Sequence, residues 1–392
     1  MRLKAIWMAP NDPEHHLSIS HHFSPATHPV LWDSGVTMRV VISSAGRRVY
    51  LVEWFQHALR EAGLDGDVYV LDYDPGAATA AAADGYRKMP AFTDEHYSAA
   101  LLGVLDELKP DLMISLNDYE LTALSQGLSD EIRANGTVVP SLSAISHQNV
   151  ADKLSMYRAL QAAGIPTPHT VSLSDAVGIY ELLENSNAVI IKERWGSGSS
   201  GLQRLSRQQA HQWLNSHATV MIDEDPQRLD ALIMQPDLGG TEYGLDVIAP
   251  VHGGPVEGVL GRRKLSMRHG ETSAAMTVDA QPFHGLAAAL NATLNIQGTV
   301  DVDVMVTDED VPHVIDINPR FGGGYPFSHI AGADVPHFLI ASTLGLTPRT
   351  GWNAYRHDFV GAKHEGIIGF KTADRPSTVG SSRDDLALRQ VS

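Results

Sequence analysis

The sequence of 392 residues contains no cysteine. Disulfides, thiol nucleophiles and zinc sites with cysteine ligands are therefore excluded, and the absence fits a reducing compartment, so we expect a cytoplasmic protein. No apolar run is long enough to span a bilayer, and we expect no membrane partner. Basic residues are outnumbered by acidic ones, and the formal charge of −17 argues against nonspecific binding to nucleic acid.

The length predicts two or three packed units, and 43% hydrophobic with 19% charged residues is ordinary for a globular protein. Residues 1–37 have no hydrophobic period and no apolar centre of a signal peptide. We expect the regular fold to begin at Met38 and interpret residues 1–37 as a poorly structured or mis-assigned extension. Its histidine pairs could suggest a metal site, but solvated side chains are the stronger interpretation of such a polar tract.

Between residues 38 and 150, short apolar strands alternate with segments of helical period. The predicted strands are 39–43, 67–72 and 111–115, and the predicted helices are 47–62, 77–83 and 97–108. This alternation predicts a Rossmann-like parallel sheet that binds ligands at the carboxyl ends of its strands. The turn Ser-Ser-Ala-Gly-Arg-Arg after the first strand lacks the three glycines of a dinucleotide fingerprint, so we predict no nicotinamide or flavin site.

A glycine-rich segment, residues 196–201, follows a predicted strand that ends in Lys192. It spans Gly-x-Gly-x-x-Gly, but a second strand at 202–205 follows it instead of the helix that a dinucleotide motif requires. A P-loop is also excluded, because Leu202 and Gln203 stand where Lys and Ser or Thr would be needed. A glycine loop between two strands can lay backbone N–H groups over a triphosphate. The alternative is a polar loop tip without function.

Late in the chain, two alternating strands at 298–306 and 311–318 predict a hairpin with residues 307–310 as its loop. A side-chain period of two places Asp301 and Asp303 on one face of the first strand. The same period places Asp316, Asn318 and Arg320 on one face of the second. Carboxylate and amide oxygens suit Mg²⁺, and an adjacent arginine suits a phosphate oxygen. We interpret the glycines that follow as a flexible run beside a ligand site, with a solvated strand face as the alternative.

Two further groups of cations are candidates for binding an anion. The first is the segment from Arg262 to His269, which also contains Arg263, Lys264 and Arg268. The second is Lys153 in the first turn of a helix predicted at 152–163, where the helix dipole disfavours a cation. A phosphate or anionic substrate would explain both groups, and solvation is the alternative. A last strand is predicted at 364–372, followed by disorder from 375 to 392.

In their order along the chain, several motifs resemble those of the ATP-grasp superfamily, in its carbamoyl-phosphate-synthetase-large-subunit-like branch, over about residues 39–344. They are the Ser-Ser-Ala-Gly-Arg-Arg turn, Asp152-Lys153, Gly164-Ile-Pro-Thr-Pro168, Lys192 with its glycine loop, Gly240-Thr-Glu-Tyr243, and Asp303 with Asp316-Ile-Asn-Pro-Arg320. The resemblance implies an α/β protein with an N-terminal Rossmann-like parallel sheet (pre-ATP-grasp domain), followed by an ATP-grasp fold of two α+β subdomains. The expected units are 1–37, 38–150, 151–235 (lid subdomain with linker helix), 236–350 (catalytic subdomain) and 351–392 (C-terminal segment).

The resemblance also implies roles for individual residues. Lys153 and Lys192 would hold the ATP phosphates, Glu242 would contact the ribose, and Asp303, Asp316 and Asn318 would bind Mg²⁺. Residues 234–238 would form the hinge that holds adenine, and Lys192, Arg268 and Arg320 would be catalytic. The remaining nucleotide-binding residues would be Gly196, Ser197, Gly198, Ser199, Gly201, Gln235, Asp237 and Leu238. This sequence departs from the family pattern at Pro236, where many relatives are acidic, and in an Asp/Asp pair where Gln/Glu is usual.

The activity implied is ligation of a small carboxylate to an amine through an acyl phosphate, with ATP and Mg²⁺ as cofactors and Mn²⁺ as a substitute metal. Our first hypothesis is an amino-acid or small-peptide ligase. The alternatives are activation of another small carboxylate or bicarbonate, and a non-catalytic nucleotide-binding regulator. A single ATP-grasp unit without a glutaminase segment argues against complete carbamoyl-phosphate synthesis. The expected partners are small molecules, with a homodimer left open, and the sequence does not identify the substrates.

Overall fold

The computed structural model describes residues 36–196, 201–224, 227–268 and 270–370. The predictions made for residues 1–35, Ser197, Gly198, Ser199, His269 and the tail beyond residue 370 lie outside these ranges. The described chain forms three sheets with helices packed on them, and the α/β class predicted from the sequence is confirmed.

The first sheet is parallel throughout and has the strand order β3-β2-β1-β4. Its strands are β1 (Thr37–Ser43), β2 (Asp65–Asp72), β3 (Gly85–Lys88) and β4 (Leu112–Ser115). The helices of this region are α1 (Val49–Glu61), α2 (Ala78–Ala82), α3 (Tyr97–Leu108), α4 (Asp118–Ala123) and α5 (Ser129–Ala134), with a π-helical turn at Leu124–Leu128. The three predicted strands and helices are present, whereas β3, α4 and α5 were not predicted.

Alternate residues of β1 explain why helices cover both faces of this sheet. Val40 and Ile42 pack with Phe55 of α1 on one face, and Val41 packs with Leu101 of α3 on the other. A strand that is buried on both faces needs a continuous apolar run, which β1 has.

The second sheet is antiparallel, with the order β5-β8-β6-β7. Helices α6 (Ala144–Ala151) and α7 (Lys153–Ala162) lead into it from the first sheet. Its elements are β5 (Val171–Ser172), α8 (Ala176–Glu184), β6 (Ala188–Glu193), β7 (Gln203–Ser206), α9 (Arg207–Glu224), α10 (Gln227–Asp230) and β8 (Leu232–Pro236). The glycine-rich segment joins β6 to β7, as its position between two predicted strands implied.

The third sheet is antiparallel and has the order β13-β12-β9-β10-β11-β14. Its strands are β9 (Thr241–Ala249), β10 (Gly258–Arg268), β11 (Glu271–Val278), β12 (Gly298–Val306), β13 (Pro312–Asn318) and β14 (Val360–Ala362). A 3₁₀ turn at Gln281–Phe283 and the helices α11 (His284–Leu294), α12 (Tyr325–Ala331) and α13 (Val335–Thr343) accompany it.

The prediction of a last strand at 364–372 was wrong within the described residues, which contain no strand after β14. The reason is that residues 360–362, and not 364–372, pair with the edge of β11. Ala274 to Met276 pair with Val360 to Ala362, and the chain has left that edge before residue 364. Ile367 is fully exposed as a result.

A single hydrophobic cluster joins the first sheet to the third. Phe55 of α1 packs edge-on against Phe321, which directly follows the late hairpin, and Phe338 of α13 belongs to the same cluster. The carboxyl edge of the parallel sheet and the end of the β12–β13 hairpin are thereby held together. None of the helices in the described ranges is both long and apolar enough to cross a membrane.

Candidate active site

A cavity of about 290 Å³ opens between the second and third sheets. Its wall contains the predicted residues Lys153, Lys192, Gly196, Gln235, Asp237, Leu238, Glu242, Asp303 and Asp316. These side chains come from segments far apart in the sequence, and only the packing of the two sheets brings them to one place.

The two carboxylates of the cavity face each other across the late hairpin. Asp303 of β12 is the register partner of Asp316 of β13, and Asp301 is the partner of Asn318. Like charges directly opposite in an antiparallel pair destabilise it. The pairing becomes irregular immediately after Asp303, and such irregularities are enriched beside active sites. The hairpin therefore carries an electrostatic cost that a cation between the carboxylates would relieve.

Lys264 supplies part of the compensating charge. Its Nζ lies 2.7 Å from Oδ2 of Asp303 and 2.7 Å from Oε1 of Glu242. Burial raises the pKa of Asp303 to about 7, although Lys264 opposes this shift, and Asp301 and Asp316 add to it. From the sequence, Lys264 was a candidate for binding a substrate anion. The structure instead shows it holding two acidic residues of the cavity in position.

Lys153 approaches the second carboxylate. Its Nζ lies 3.6 Å from Oδ1 of Asp316 and donates a hydrogen bond to the carbonyl of Gly196 at 2.8 Å. Gly196 and Gly201, at the two ends of the loop, have φ of +111° and +67°, values that favour glycine. Lys153 thus connects the late hairpin to the start of the glycine loop.

An arginine that the sequence analysis missed fixes Lys153 in this place. Arg194 donates from Nε and Nη2 to the two carboxylate oxygens of Asp152, at 2.8 and 2.7 Å, and from Nη1 to Asp230 at 2.8 Å. Burial raises the pKa of Asp152, but the hydrogen bonds from Arg194 and Ser155 outweigh it and hold that pKa below its usual value. Asp152 also caps α7 by accepting from the N–H of Leu154. In the sequence, the only hint of this contact is the position of Arg194, two residues after Lys192.

Lys192 is the second lysine of the cavity and is partly buried, whereas Lys153 is buried. The Nζ of Lys192 lies 3.4 Å from the carbonyl oxygen of Ile315, next to Asp316. Burial and the neighbouring Lys153 lower the pKa of Lys192 to about 8, although Asp316 opposes the shift. Two ammonium groups that destabilise each other beside a carboxylate suit a ligand with several negative charges.

The predicted adenine hinge lines the same cavity. Asp237 forms a close bidentate ion pair with Arg204 of β7, which lowers the pKa of Asp237. The backbone N–H of Asp237 donates to the carbonyl of Ala188 at 2.9 Å, and Pro236 has no N–H. Neither residue therefore offers a backbone N–H to a base, and Leu238 is the next position that can.

The sequence analysis missed the apolar part of the cavity wall. It includes Ile190, Trp195, Leu202, Met305 and Ile315. Two of these could have been found, because Ile190 precedes Lys192 by two residues and Met305 follows Asp303 by two. A strand period of two places each pair on the same face. These side chains give the cavity an apolar part beside its charged one, as a site for a nucleoside polyphosphate requires.

The basic segment 262–268 does not act as one cluster, contrary to its interpretation as an anion-binding group. It lies within β10, where Arg262 is 1% exposed and binds Asp246 in close contact and Asp301 at 2.6 Å. Burial raises the pKa of Asp246 and of Asp301, and Arg262 opposes both shifts. Asp301 therefore belongs to a buried structural triad, and of the predicted acidic residues of the hairpin only Asp303 and Asp316 line the cavity.

The glycine run after the hairpin is packed, and its interpretation as flexible was wrong. A Cβ atom at Gly322 would collide with the Asp301 carboxylate, and one at Gly324 would collide with the guanidinium of Arg262. None of the three glycines of the run has a positive φ. Glycine is required at positions 322 and 324 because the backbone there passes directly over the buried triad.

The two arginines predicted to be catalytic lie outside the cavity wall. Arg268 is exposed at the end of β10. Arg320 donates from Nε and Nη2 to both carboxylate oxygens of Asp118, at 2.7 and 2.8 Å. Burial lowers the pKa of Arg320, but the contacts with Asp118 outweigh it and raise that pKa overall. Asn318 lies between the two regions, 3.4 Å from Asp316 Oδ2 and 3.5 Å from Nη2 of Arg320.

The donor set at the hairpin fits Mg²⁺ held partly by a nucleotide. Among the described residues, no group of three or more His, Cys, Asp or Glu side chains could hold a metal ion. Asp303, Asp316 and Asn318 supply two carboxylates and an amide oxygen. Mg²⁺ is commonly bound by one or two carboxylates together with substrate phosphates and water, so this incomplete set is the one expected for a magnesium–nucleotide complex.

Comparison with known families and structures agrees with this geometry. Residues 40–139 match the family described as "PylC-like, N-terminal domain", and residues 150–324 match the family described as "ATP-grasp domain". No curated protein matches the chain in sequence.

Three solved structures illustrate the likeness of fold. N5-carboxyaminoimidazole synthetase from Staphylococcus aureus, complexed with ADP, has a TM-score of 0.60 and 14% identity, over 82% of this chain and 81% of that chain. The biotin carboxylase domain of 2-oxoglutarate carboxylase from Hydrogenobacter thermophilus, in complex with MgADP, ADP and bicarbonate, has a TM-score of 0.62 and 14% identity, over 82% and 73%. L-amino acid ligase from Bacillus licheniformis has a TM-score of 0.58 and 15% identity, over 82% and 78%.

Proposed function

We propose that this chain, which belongs to the ATP-grasp superfamily and carries a PylC-like N-terminal domain, is an ATP-dependent carboxylate–amine ligase that releases ADP and phosphate. The observation that carries the proposal is the meeting of Lys153, Lys192, Asp303 and Asp316 in one cavity. Two lysines beside two opposed carboxylates provide the charges that a magnesium-bound triphosphate requires.

Within this proposal, Lys153 and Lys192 hold the phosphates, and Asp303, Asp316 and Asn318 hold Mg²⁺. The metal, when bound, neutralises negative charge on the phosphate oxygens. The apolar wall and the backbone near Leu238 hold the base, and Glu242 lies where the ribose contact is expected. Gly196, at the described start of the glycine-rich segment, lines the cavity beside Lys153.

The reaction has two steps that need no covalent nucleophile from the protein. A carboxylate oxygen of the substrate attacks the γ-phosphorus of ATP, the bond to the β-phosphate oxygen breaks, and ADP leaves. The amine nitrogen then attacks the acyl carbon, the bond to the phosphate oxygen breaks, and the amine proton passes to phosphate or water. Positioning and charge neutralisation supply the catalysis, as in other phosphoryl transfers. The lack of cysteine is therefore no obstacle.

We propose an amino acid or small peptide as the carboxylate, with bicarbonate or another small carboxylate as the competing possibility. The structurally similar proteins include an L-amino acid ligase and a biotin carboxylase domain with bound bicarbonate, and their low identity to this chain favours neither.

The test is ADP release in the presence of hydroxylamine, with the twenty L-amino acids, acetate, succinate and bicarbonate offered separately. Hydroxamate formation together with ADP marks an acyl phosphate and supports the proposal. AMP formation would replace it with an adenylating mechanism. Tight MgATP binding without either product for any carboxylate would favour a nucleotide-binding regulator.

A further inference from the structure

A second charged region lies at the carboxyl edge of the parallel sheet, beyond the metal end of the cavity. Arg48 stands between β1 and α1, and its Nη1 donates to the carbonyl of Leu116, just after β4, at 3.2 Å. The guanidinium is thus anchored over the ends of two neighbouring strands. This edge is where parallel α/β sheets bind their ligands.

Arg48 lacks a counter-ion within the part of the chain that the structure describes. None of the described carboxylates lies within 4.0 Å of its guanidinium. The carboxylates that act on Arg48 from nearby are already engaged: Asp118 binds Arg320 through both oxygens, and Glu271 binds Lys363 at 3.1 Å. Burial and the neighbouring Arg320 both lower the pKa of Arg48. A partly buried guanidinium without an anion is costly unless a ligand completes it.

This region is continuous with the cavity. Asp316, Asn318 and Arg320 follow one another along the end of the late hairpin, and Arg320 lies beside Arg48. On the far side, a Cβ at Gly323 would lie 3.4 Å from Nζ of Lys363 and 3.7 Å from the Glu271 carboxyl carbon. The glycine run, the turn after β1 and the chain beyond β14 therefore meet around Arg48, next to the residues assigned to Mg²⁺ and phosphate.

The two nearest carboxylates already have partners, since Asp118 pairs with Arg320 and Glu271 pairs with Lys363. Arg48 is left without a paired carboxylate, and Arg47, which also acts on Glu271, adds to the local positive charge in a protein of net charge −17. A carboxylate matches this positive charge, because the planar fork of a guanidinium can bind both carboxylate oxygens at once.

We propose that Arg48 binds the free carboxylate group of the ligase substrate and orients it towards the metal end of the nucleotide cavity. This inference rests on the proposed function and extends it, because it requires a small molecule with an unesterified carboxylate. A neutral ester or amide of the same molecule is excluded as a ligand for this site.

The test uses three variants and a binding measurement that does not depend on turnover. Arg48→Met removes the charge and keeps the apolar stem, Arg48→Lys keeps the charge without the fork, and Arg60→Met is the control at the exposed far end of the same helix. Each protein is saturated with MgADP and titrated calorimetrically with the twenty L-amino acids, acetate and succinate, and with the methyl ester of whichever compound binds.

We expect the wild-type protein to bind at least one free carboxylate and to reject its methyl ester. Arg48→Met should weaken that binding about 10- to 100-fold, the range for a lost hydrogen bond to a charged group, with unchanged MgADP affinity. The carboxylate affinity of Arg48→Lys should lie between those of the wild type and Arg48→Met, and the affinity of Arg60→Met should match that of the wild type. In turnover assays the loss should fall on KM for the carboxylate and leave KM for ATP unchanged.

The inference is overturned if Arg48→Met binds the carboxylate as tightly as the wild type, or if the ester binds as well as the acid. It is also overturned if no carboxylate binds the wild type, or if carboxylate and MgADP affinities fall together, which would show a purely structural role. The proposed function fails separately: a wild-type protein that binds MgADP and a carboxylate at Arg48 without forming hydroxamate would retain this site and lose the ligase activity.

Discussion

The ammonium nitrogen of Lys153 lies 3.6 Å from Oδ1 of Asp316. The first residue begins the helix that leads into the second sheet, and the other stands on the hairpin of the third. Both residues line the cavity, and their contact joins the two sheets that form it. Each substitution or pH change described below alters one physical feature of this arrangement or of the packing that supports it.

We expect Asp316→Asn to lower turnover by at least about 100-fold, because even partners outside the direct ligand set of a metal contribute 10- to 100-fold. The thermal midpoint should change little, because the variant removes one of two opposed carboxylates. The measurement is the steady-state rate at saturating ATP with varied Mg²⁺. Asp310→Asn, the same change at the exposed tip of the same hairpin, is the control and should keep full activity. Equal rates in the two variants would contradict the metal assignment.

The affinity for MgADP should decline as the pH rises above about 8. Burial lowers the pKa of Lys192 to about 8, so in the protein without nucleotide the Lys192 side chain is charged below that pH and increasingly neutral above it. Calorimetric titrations between pH 7 and pH 9.5 measure the effect. Lys192→Gln should bind MgADP more weakly at pH 7 and lack this decline. A variant that retained the wild-type pH dependence would assign the titration to another group.

Gly324→Ala should destabilise the protein by about 1–3 kcal/mol, the usual cost of overpacking a filled core. The added Cβ collides with the buried Arg262, although the backbone at this position suits alanine. Gly103→Ala is the matched control, because Gly103 lies in the middle of α3 and its added Cβ meets no atom within 4 Å. That change should stabilise by about 0.5–1 kcal/mol. Urea unfolding of both variants gives the comparison, and equal signs would refute the packing argument.

The free energy of unfolding should decrease as the pH falls below about 6.5. Burial lowers the pKa of His329 to about 3, whereas the unfolded chain has an ordinary value near 6.5. Between these values only the unfolded state binds the proton, so acid favours unfolding. His329→Phe keeps a ring stacked on Trp54, which the histidine contacts at a centroid distance of 3.8 Å.

The variant should therefore show a smaller difference in urea midpoint between pH 7 and pH 5 than the wild type. It also loses the hydrogen bond between Tyr325 and His329, so the slope with pH, rather than the absolute stability, is the quantity to compare. Replacement of the exposed His96 by Gln shows any general effect of removing a histidine. An unchanged slope in His329→Phe would place the acid sensitivity elsewhere.

The sequence predicted most of what depends on local periodicity. Three strands and three helices of the first sheet, the strands on both sides of the glycine loop and the late hairpin follow from apolar spacing and turn residues, since those features are set by neighbouring residues, whereas β3, α4 and α5 were not predicted. The facing of Asp303 and Asp316 could not be predicted, because the register shifts immediately after Asp303: Val304 pairs with Val314, whereas Asp303 pairs with Asp316.

The long-range partners could not be predicted, and they explain the errors. Arg262, Lys264 and Arg268 look alike in sequence, but the first is buried between two carboxylates, the second holds Glu242 and Asp303, and the third is exposed. In the same way, nothing in the run of glycines after the hairpin shows that Arg262 lies beneath it.

The sequence alone thus determined the order of most elements, the late hairpin with its acidic residues and the two lysines suited to phosphate, because period, charge and turn chemistry act over a few residues. The tertiary structure decided which cations remain for a ligand. Lys153 and Lys192 line the cavity, and Arg48 has no counter-ion among the described residues. Arg262 and Lys264 form ion pairs with carboxylates from other strands. Charge neutralisation depends on distance in space, which strand order and sheet packing set and sequence spacing does not.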